Sequence, residues 1–400
     1  MARVVISFVG KCGKEVEYQF PEATTRRLRR RFFLPALVPW LARHGKPVHK
    51  VVVIGSATSE WPDLQRELNA LPIHLPPDIA PPAYRRVEMR EATDGAIYGE
   101  TLEVIRSAIE PGDQVVLDLS QGMRHQPLIA LLAALYLDRL PANRDVTIEH
   151  VFSASVERDA DDNIIQPVPV RDLRPILDLA AWVFALGAFD ASGDTGVFTK
   201  LLEKDENDDE AVELLRQGAA LERATRPEAA AEIARAKRLL TPAGATAVVL
   251  DGAGAAFAPD LERALAWSGG ADEIARKAAL SDWYLERGDP LRGGVYLFEA
   301  MVAKLVAGRS PRPQSDGEVK DMLERYIQRC SDRVLQRSMF SVRRLRNLLA
   351  HASEFDPKGY DDWRQKLDAE LKDLLTRPAD LVARLKSLHA YLLAETTTFP

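Results

Sequence analysis

The alternation of strand-like and helix-like segments in the first half of the chain most constrains how this 400-residue sequence can fold. Short runs rich in Val and Ile, beginning with residues 4–9 and 50–54, alternate with segments of helical periodicity. This alternation is typical of a parallel sheet flanked by helices. Further strands are predicted at residues 114–119, 146–153 and 164–170. The sequence therefore predicts an α/β domain in the N-terminal half.

Three other segments of this half have patterns of their own. Residues 16–20 alternate apolar and polar side chains and are predicted to run back beside the first strand. Residues 71–82 are rich in proline, which favours a surface connection. The basic run at residues 26–31 could contact an RNA backbone or a polyanionic ligand, or it could be the solvated lead-in to a helix.

The sequence changes character at about Leu173, after which Ala, Leu, Glu and Arg dominate and strand-like runs are few. Helical periodicity with this composition predicts an all-α C-terminal half. Residues 190–196 and 244–259 interrupt the helical pattern with Gly, Asp and Ala. The predicted domains are an N-terminal domain at residues 1–190, a helical connecting region at 191–270 and a C-terminal helical domain at 271–400.

Composition and charge argue against several classes of protein. No apolar run approaches the length of a membrane span, and the N-terminus has no signal-peptide pattern, so we expect no membrane contact and a cytoplasmic location. Cys12 and Cys330 are far apart and match no metal-ligand spacing, so neither a disulfide framework nor a metal site is expected. A net charge of −6 argues against a protein that coats DNA irrespective of sequence.

Polar loops follow three of the predicted strands, at residues 10–13, 55–58 and 120–125. The carboxyl ends of parallel strands are where such sheets bind ligands. The third loop lies in Asp118-Leu-Ser-Gln-Gly-Met-Arg-His125, which brings a hydroxyl, an amide, a guanidinium and an imidazole to the start of a helix. A helix N-terminus combined with Arg124 suits a phosphate or a ribose. The alternative is a plain turn between strand and helix.

A second candidate site lies on the predicted helix that contains residues 341–351. One face is apolar, and the other is polar: Leu345, Leu348, Leu349 and Ala352 against Arg344, Asn347 and His351. A cation for phosphate, an amide that orients its neighbour and an imidazole that moves protons allow an RNA 2′-hydroxyl to attack its own phosphodiester without a metal. Arg346, Asn347 and His351 are therefore the candidate catalytic residues.

The Arg-to-His spacing on its own is weak evidence, because Arg384 and His389 repeat it. The Asn directly after Arg346 distinguishes the first match from the second. For either match, the alternative is an amphipathic helix with a solvated polar face.

Together these motifs resemble the CRISPR-associated ribonucleases of type III systems, which join a CRISPR-associated Rossmann fold (CARF) sensor domain to a HEPN nuclease domain. The stretches that carry the resemblance are Ile6-Ser-Phe-Val-Gly10 leading to Tyr18, Val51-Val-Val-Ile-Gly55, Val116-Leu-Asp-Leu-Ser-Gln-Gly-Met-Arg124, Pro167-Val-Pro-Val170 with Asp172-Leu173, Trp182 before Phe189 and Gly193-Asp194, and Arg346-Asn-Leu-Leu-Ala-His351. The resemblance implies a Rossmann-like α/β sensor domain followed by an all-α HEPN domain.

The resemblance also implies a function. The expected protein is a homodimeric endoribonuclease of antiviral defence that needs no metal or cofactor, is activated by a cyclic oligoadenylate, with cyclic tetraadenylate the favoured ring, and cuts single-stranded RNA to leave a 2′,3′-cyclic phosphate. Arg346 would stabilise phosphate charge, Asn347 would orient His351, and His351 would be the acid and base. The expected ligand-binding residues are Gly10, Lys11, Gly13, Ser56, Thr58, Ser120, Gln121, Gly122, Arg124 and His125.

The third loop departs from the pattern of the family. Ser120, Gln121 and Met123 stand where relatives usually have Thr, His and Phe, which leaves the ring size of the ligand open. Two other functions are alternatives to the activated nuclease. The chain could be a sensor that binds the cyclic oligoadenylate without cutting RNA, or a ring nuclease that degrades its own ligand.

Overall fold

The computed structural model describes residues 2–11, 14–21, 28–71, 83–90, 96–122, 125–139, 145–161, 163–224, 226, 228–270, 272–307, 315–351 and 361–394, without the side chains of residues 125, 138, 139, 316 and 351. The chain folds into two compact units, Met1–Ala181 and Trp182–Pro400. The first is an α/β unit, and the regular secondary structure in the described part of the second is all helical, as predicted. The finer division at residues 190 and 270 stays a prediction.

The first unit is built on a mixed sheet with eight strands in its described part. These are β1 (Arg3–Val9), β2 (Val16–Gln19), β3 (Leu28–Arg30), β4 (Lys50–Ser56), β5 (Ala83–Met89), β6 (Gln114–Asp118), β7 (Thr147–Ala154) and β8 (Val168–Asp172). Their order across the sheet is β3-β2-β8-β7-β6-β1-β4-β5. Strands β7, β6, β1, β4 and β5 run parallel. The carboxyl ends of β6, β1 and β4 are therefore neighbours at one end of the sheet.

Helices cover both faces of this sheet. They are α1 (Leu34–Arg43), α2 (Trp61–Asn69), α3 (Ala96–Ser107), α4 (His125–Arg139) and α5 (Arg174–Ser192), the last of which continues into the second unit. Successive side chains of β1 point into two different cores, as the two-residue period of a strand requires. Val5 and Val9 pack with α1 and α2, whereas Ile6 and Phe8 pack with α3 and α4.

Strand β2 lies away from β1, so the prediction for residues 16–20 was wrong in its pairing. Tyr18 is opposite Leu28 of β3 and Val168 of β8. The physical reason is aromatic packing at α1, where the ring of Phe20 stacks on Trp40 with centroids 4.7 Å apart. Burial of these rings holds β2 at the far side of the sheet.

The basic run at residues 26–31 is a strand over its described part, which corrects the helical lead-in. Leu28–Arg30 forms the edge strand β3, and helix α1 begins only at Leu34, so the run is not the solvated lead-in to a helix. The exposed Arg29 lies 3.5 Å from a carboxylate oxygen of Glu15, and Arg31 pairs with Asp63 at 2.8 Å. The first two arginines of the run lie outside the described residues.

The second unit is a set of packed helices. They are α6 (Thr199–Lys204), α7 (Asp209–Arg223), α8 (Ala229–Leu239), α9 (Ala258–Ala264), α10 (Glu273–Glu286), α11 (Pro290–Val306), α12 (Asp316–Arg329), α13 (Arg333–His351), α14 (Asp362–Leu374) and α15 (Pro378–Leu393). Helix α11 packs against α10, α13 and α15. Met301, Leu345 and Leu385 from three of these helices are completely buried in the shared core.

Helix α5 corrects the expectation that no segment approaches a membrane span. It has 19 residues, its most apolar 18-residue window has a mean hydropathy of 1.3, and 28% of that window is buried. By length and composition it could cross a membrane, although core helices of soluble proteins pass the same test. The sequence analysis missed this helix because two charged residues, Arg174 and Asp178, interrupt its apolar first turns. The two side chains pair at 2.7 Å.

Candidate functional site

A pocket of about 170 Å³ lies at the carboxyl ends of β1, β4 and β6. Its lining comes from the end of β1, the three predicted loops, the residue after the second loop and the first turn of α4: Val9, Gly10, Lys11, Ser56, Thr58, Ser59, Gly122 and Gln126. Five of these were predicted ligand-binding residues: Gly10, Lys11, Ser56, Thr58 and Gly122. The parallel order of the strands explains why loops more than a hundred residues apart in sequence meet here.

Gly122 allows the third loop to approach the end of β1. Its φ is +104°, a conformation that side chains with a Cβ rarely adopt. A Cβ at this position would lie 2.8 Å from the Cβ of Phe8 and 2.5 Å from Oε1 of Gln126. A Cβ on Gly10 would in turn lie 3.3 Å from the Gly122 backbone. Gly122 is therefore required by the close packing of the two loops, whereas a Cβ at Gly10 would need the Gly122 backbone to shift by a few tenths of an ångström.

The loop after β4 is fixed by its own hydroxyl groups. Ser59 Oγ accepts a hydrogen bond from the Ser56 amide at 2.9 Å and donates one to the Val9 carbonyl at 2.9 Å. The hydroxyl oxygens of Ser56 and Thr58 are 3.1 Å apart. These bonds join the ends of β4 and β1 and line one side of the pocket with hydroxyl groups, which suit a phosphate or a ribose.

Ser120 and Gln121 are predicted ligand residues that do not line the pocket. Ser120 Oγ accepts a hydrogen bond from the Ala154 amide at 2.9 Å. Gln121 Nε2 lies 3.5 Å from the carbonyl oxygen of Arg31. The two side chains thus attach the loop to the neighbouring parts of the sheet. Whether they bind a ligand stays a prediction.

Asp118, at the end of β6, holds this loop in place through hydrogen bonds. It is completely buried and accepts hydrogen bonds from Ser7 Oγ at 2.6 Å and from the Ser120 amide at 2.8 Å. Burial raises the pKa of Asp118 to about 6, although both hydrogen bonds act to lower it. The carboxyl group is a structural support that the sequence analysis did not single out.

Three lining residues were missed, and three predicted residues cannot be located. Val9 ends β1, Ser59 lies just before the unpredicted helix α2, and Gln126 precedes the proline at which α4 was expected to begin. A helix start at His125, two residues earlier, would have indicated Gln126. Gly13 and Arg124 lie outside the described residues, as does the side chain of His125.

The second candidate site is on α13. Arg346 Nη1 donates to Oδ1 of Asn347 at 3.1 Å, and its guanidinium carbon lies 5.4 Å from the ring centroid of Phe298 on α11. This cation–π contact and the hydrogen bond hold the guanidinium in one orientation. His351 is the last residue of α13, on the same helical face as Asn347 four residues earlier, and its side chain lies outside the described part.

Arg344 was predicted on the polar face beside Asn347, and the structure corrects this. Its side chain is buried and forms an ion pair with Asp368 of α14. Helix α14 packs against α13 and brings a carboxylate to this position. The prediction was wrong because the partner lies 24 residues further along the chain. Leu345 belongs to the core, as predicted.

The repeated spacing at Arg384 and His389 has a structural explanation. Nε2 of His389 lies 2.9 Å from the carbonyl oxygen of Ala278 on α10, so the ring joins α15 to α10. The contact gives His389 a structural role, so the repeated spacing at Arg384 and His389 needs no catalytic explanation.

The described part of the chain contains no group of three or more His, Cys, Asp or Glu placed to hold a metal ion. Cys330 is a buried free thiol, and Cys12 lies outside the described residues.

No protein-family model matches this chain, and no curated protein matches it. Among solved structures, Enterococcus italicus Csm6 bound to cyclic hexa-2′-fluoro-hexa-dAMP is similar at 9% identity and a TM-score of 0.43. The match covers 99% of this chain and 96% of that chain. Because the identity and the TM-score are this low, the match says nothing about the function of this chain.

Proposed function

We propose that this protein is a cyclic-oligoadenylate-activated, metal-independent endoribonuclease that cuts single-stranded RNA in type III CRISPR antiviral defence. The observation that carries the proposal is that one pocket is lined by Gly10, Lys11, Ser56, Thr58 and Gly122. The resemblance to CARF sensors implies that these residues bind the ligand together. Lys11 supplies a cation, the hydroxyl groups supply hydrogen bonds, and the N-terminus of α4 favours an anion.

The size of the pocket supports a ligand shared by two chains. About 170 Å³ is less than the volume of pockets that enclose a drug-sized molecule, roughly 300 Å³ or more. One pocket therefore suits one segment of a nucleotide ring rather than the whole ring. A ring of repeating adenylates has the symmetry to fill two such pockets related by a two-fold axis.

Helix α4 offers a surface for this dimer. Leu128 and Leu132 are 64% and 63% exposed, and Tyr136 continues the same stripe one turn later. An exposed apolar stripe of this kind marks an interaction surface. A two-fold axis running along α4 would bring the two pockets side by side, because each pocket lies at the N-terminal end of this helix. A second copy of the chain is thus the partner that suits both the stripe and the ligand.

In the proposed reaction, His351 removes the proton from the RNA 2′-hydroxyl and returns a proton to the leaving 5′-oxygen. The 2′-oxygen forms a bond to phosphorus, and the bond from phosphorus to the 5′-oxygen breaks. The products are a 2′,3′-cyclic phosphate and a 5′-hydroxyl. Arg346 stabilises the negative charge that grows on the phosphate, and its contacts with Phe298 and Asn347 support this role by fixing its orientation.

Two copies of Arg346, Asn347 and His351 would meet across the dimer. Ligand binding would favour the dimer geometry in which these residues are aligned. The coupling requires the cyclic oligoadenylate to bind the active geometry more tightly than the inactive one.

The test is cleavage of a labelled single-stranded RNA in EDTA, with and without cyclic tetraadenylate or cyclic hexaadenylate. We expect cutting only with ligand, and the active ring gives the ring size. His351→Ala should abolish cleavage while ligand affinity is unchanged. His389→Ala is the matched control, because it removes the histidine of the repeated spacing and should leave cleavage intact.

Full cleavage by His351→Ala would overturn the catalytic assignment. Ligand binding without any RNA cleavage by the wild type would make the chain a sensor, and loss of the intact ring would make it a ring nuclease.

A further inference from the structure

A groove of about 500 Å³ lies on the first unit between α2 and the edge strand β5. Its lining includes the side chains of Trp61 and Gln65 of α2 and those of Tyr84 and Arg86 of β5. Its floor is apolar, and its volume falls within the range of small-molecule sites. The groove shares Ser59 with the pocket at the strand ends, but none of these four side chains lines that pocket.

Two flat groups stand on one face of β5. Tyr84 and Arg86 are two residues apart, and their strand partners on β4 are Val51 and Val53, which belong to the core under α1 and α2. A strand rises about 3.3 Å per residue, so the two side chains are about 6.6 Å apart. This spacing accommodates one aromatic ring stacked between them.

Arg86 is held flat by its surroundings. Its guanidinium carbon lies 4.3 Å from the ring centroid of Trp61, whose Nε1 donates to the Ser56 carbonyl at 2.8 Å. Nη2 of Arg86 is 2.6 Å from a carboxylate oxygen of Glu88, which balances its charge. Arginine planes and aromatic rings are the surfaces on which proteins stack nucleobases. Arg86 lines the groove in this fixed orientation.

Gln65 supplies a polar edge. Its amide is on α2, where Nε2 donates to Oδ1 of Asn69 at 2.8 Å. A glutamine amide combines a donor with an acceptor, the pattern that matches N6 and N7 of adenine. Guanine presents acceptors at both corresponding atoms and does not match the amide in the same way.

We propose that this groove binds the adenine base of a nucleotide, stacked between Tyr84 and Arg86 and read by Gln65. The shared chemistry is an adenine nucleotide, either free or as one unit of an oligoadenylate. The site is separate from the proposed RNA cleavage and does not require it.

The test is isothermal titration of the full-length protein with AMP, GMP and cyclic tetraadenylate. We expect AMP to bind at least 10-fold more tightly than GMP, and Tyr84→Ala to weaken AMP at least 10-fold, consistent with about 1–3 kcal/mol per stacked base. Gln65→Leu should reduce the preference for AMP over GMP. Both residues are on the surface of the fold, so these variants should remain folded.

Two controls locate the site. Arg66→Ala removes an exposed arginine of α2 that pairs with Asp63 and does not line the groove, and it should leave AMP binding unchanged. Lys11→Ala alters the strand-end pocket and should also leave AMP binding unchanged. If AMP bound to Tyr84→Ala with the same affinity as to wild type, or if wild type bound no AMP, the groove would not be an adenine site.

Binding measurements on the Tyr84→Ala variant also show whether the adenine base belongs to a free nucleotide or to one unit of an oligoadenylate. Weaker binding of both AMP and cyclic tetraadenylate to Tyr84→Ala assigns the groove to a unit of an oligoadenylate. Weaker binding of AMP alone assigns it to a free nucleotide. Failure of RNA cleavage would affect neither result, so the two proposals are tested separately.

Discussion

Arg344 of α13 and Asp368 of α14 form an ion pair in which each side chain is only 4% exposed. Nε of Arg344 donates to Oδ1 of Asp368, and Lys372 approaches the other carboxylate oxygen to 3.1 Å. The pair lies less than one turn before Arg346, on the same helix. It therefore fixes the rotation of α13 about its axis at the position where the candidate catalytic residues begin.

Removing the negative charge of this pair should destabilise the helical unit. Asp368→Asn leaves the Arg344 cation buried without its partner charge, which costs about 3 kcal/mol or more. The measurement is the free energy of unfolding in urea. Asp373→Asn on the same helix is the matched control, because Asp373 and Arg377 form an exposed pair whose loss costs less than about 1 kcal/mol. Equal losses in the two variants would contradict a special role for the buried pair.

Gly122→Ala should lower the melting temperature more than Gly112→Ala. Both glycines have positive φ, +104° and +84°, so each variant strains the backbone. Only at Gly122 would the new Cβ also meet Phe8 and Gln126, whereas nothing lies within 4 Å at Gly112. The overpacking should cost about 1–3 kcal/mol more. Calorimetry compares the two variants, and indistinguishable melting temperatures would show that the loop can yield at Gly122.

The buried Asp118 predicts a pH dependence of stability. Its pKa is about 6 in the folded protein, against an ordinary aspartate pKa of 3.8, so between pH 4 and 6 the folded state holds a proton that the unfolded chain has released. Stability from this group is present below pH 4 and is lost as the pH rises through 6. The loss amounts to about 3 kcal/mol.

Asp118→Asn has no such proton and tests this dependence. The unfolding free energy of the wild type should fall relative to that of the variant as the pH rises from about 4 to 6. Ser7→Ala should move the transition to higher pH, because the Ser7 hydrogen bond acts to lower the pKa of Asp118. Parallel pH profiles for wild type and Asp118→Asn would mean that Asp118 is ionised throughout.

The central strands could be predicted from sequence because burial on both faces leaves nearly continuous apolar runs, as in β1 and β4. The edge strand β5 has the sequence AYRRVEM and is mostly exposed, so it lacks that signal. Helix α2 begins with Trp61-Pro62 after a serine-rich loop. The proline suggests a break, although it is favourable in the first turn of a helix.

The candidate site was predictable to the extent that strand order determines it. The ends of β1, β4 and β6 must meet, so the glycine and hydroxyl residues of their loops were found. Ser120 and Gln121 bond to Ala154 and Arg31, 34 and 90 residues away, and no local pattern encodes those contacts. Arg344 was misplaced for the same reason, since its environment depends on a later helix.

Leu132→Glu should convert the proposed dimer into monomers. The change introduces a charge into the apolar stripe of α4 next to Leu128, where a second copy would bury it. Sedimentation measures the oligomeric state. Val156→Glu is the control, because Val156 is an exposed apolar residue of the same unit outside α4. An Leu132→Glu protein that still dimerises would exclude α4 from the interface.

Arg346→Lys should lower the turnover of RNA by about 10²–10³-fold, the usual effect of removing a group that stabilises charge in the transition state. Lysine keeps the charge but not the planar guanidinium that stacks on Phe298 and bonds Asn347. Because the lost interaction acts in the transition state, kcat should fall while KM for RNA and the affinity for the cyclic oligoadenylate change little.

Phe298→Leu should lower kcat less, by about 10-fold, since the guanidinium remains but its orientation is no longer fixed by the ring. Arg384→Lys is the control for the arginine of the repeated spacing and should retain the wild-type kcat. Single-turnover cleavage under saturating ligand separates the chemical step from RNA binding. Wild-type turnover by Arg346→Lys would remove Arg346 from the catalytic set, whereas a raised KM with unchanged kcat would assign it to RNA binding alone.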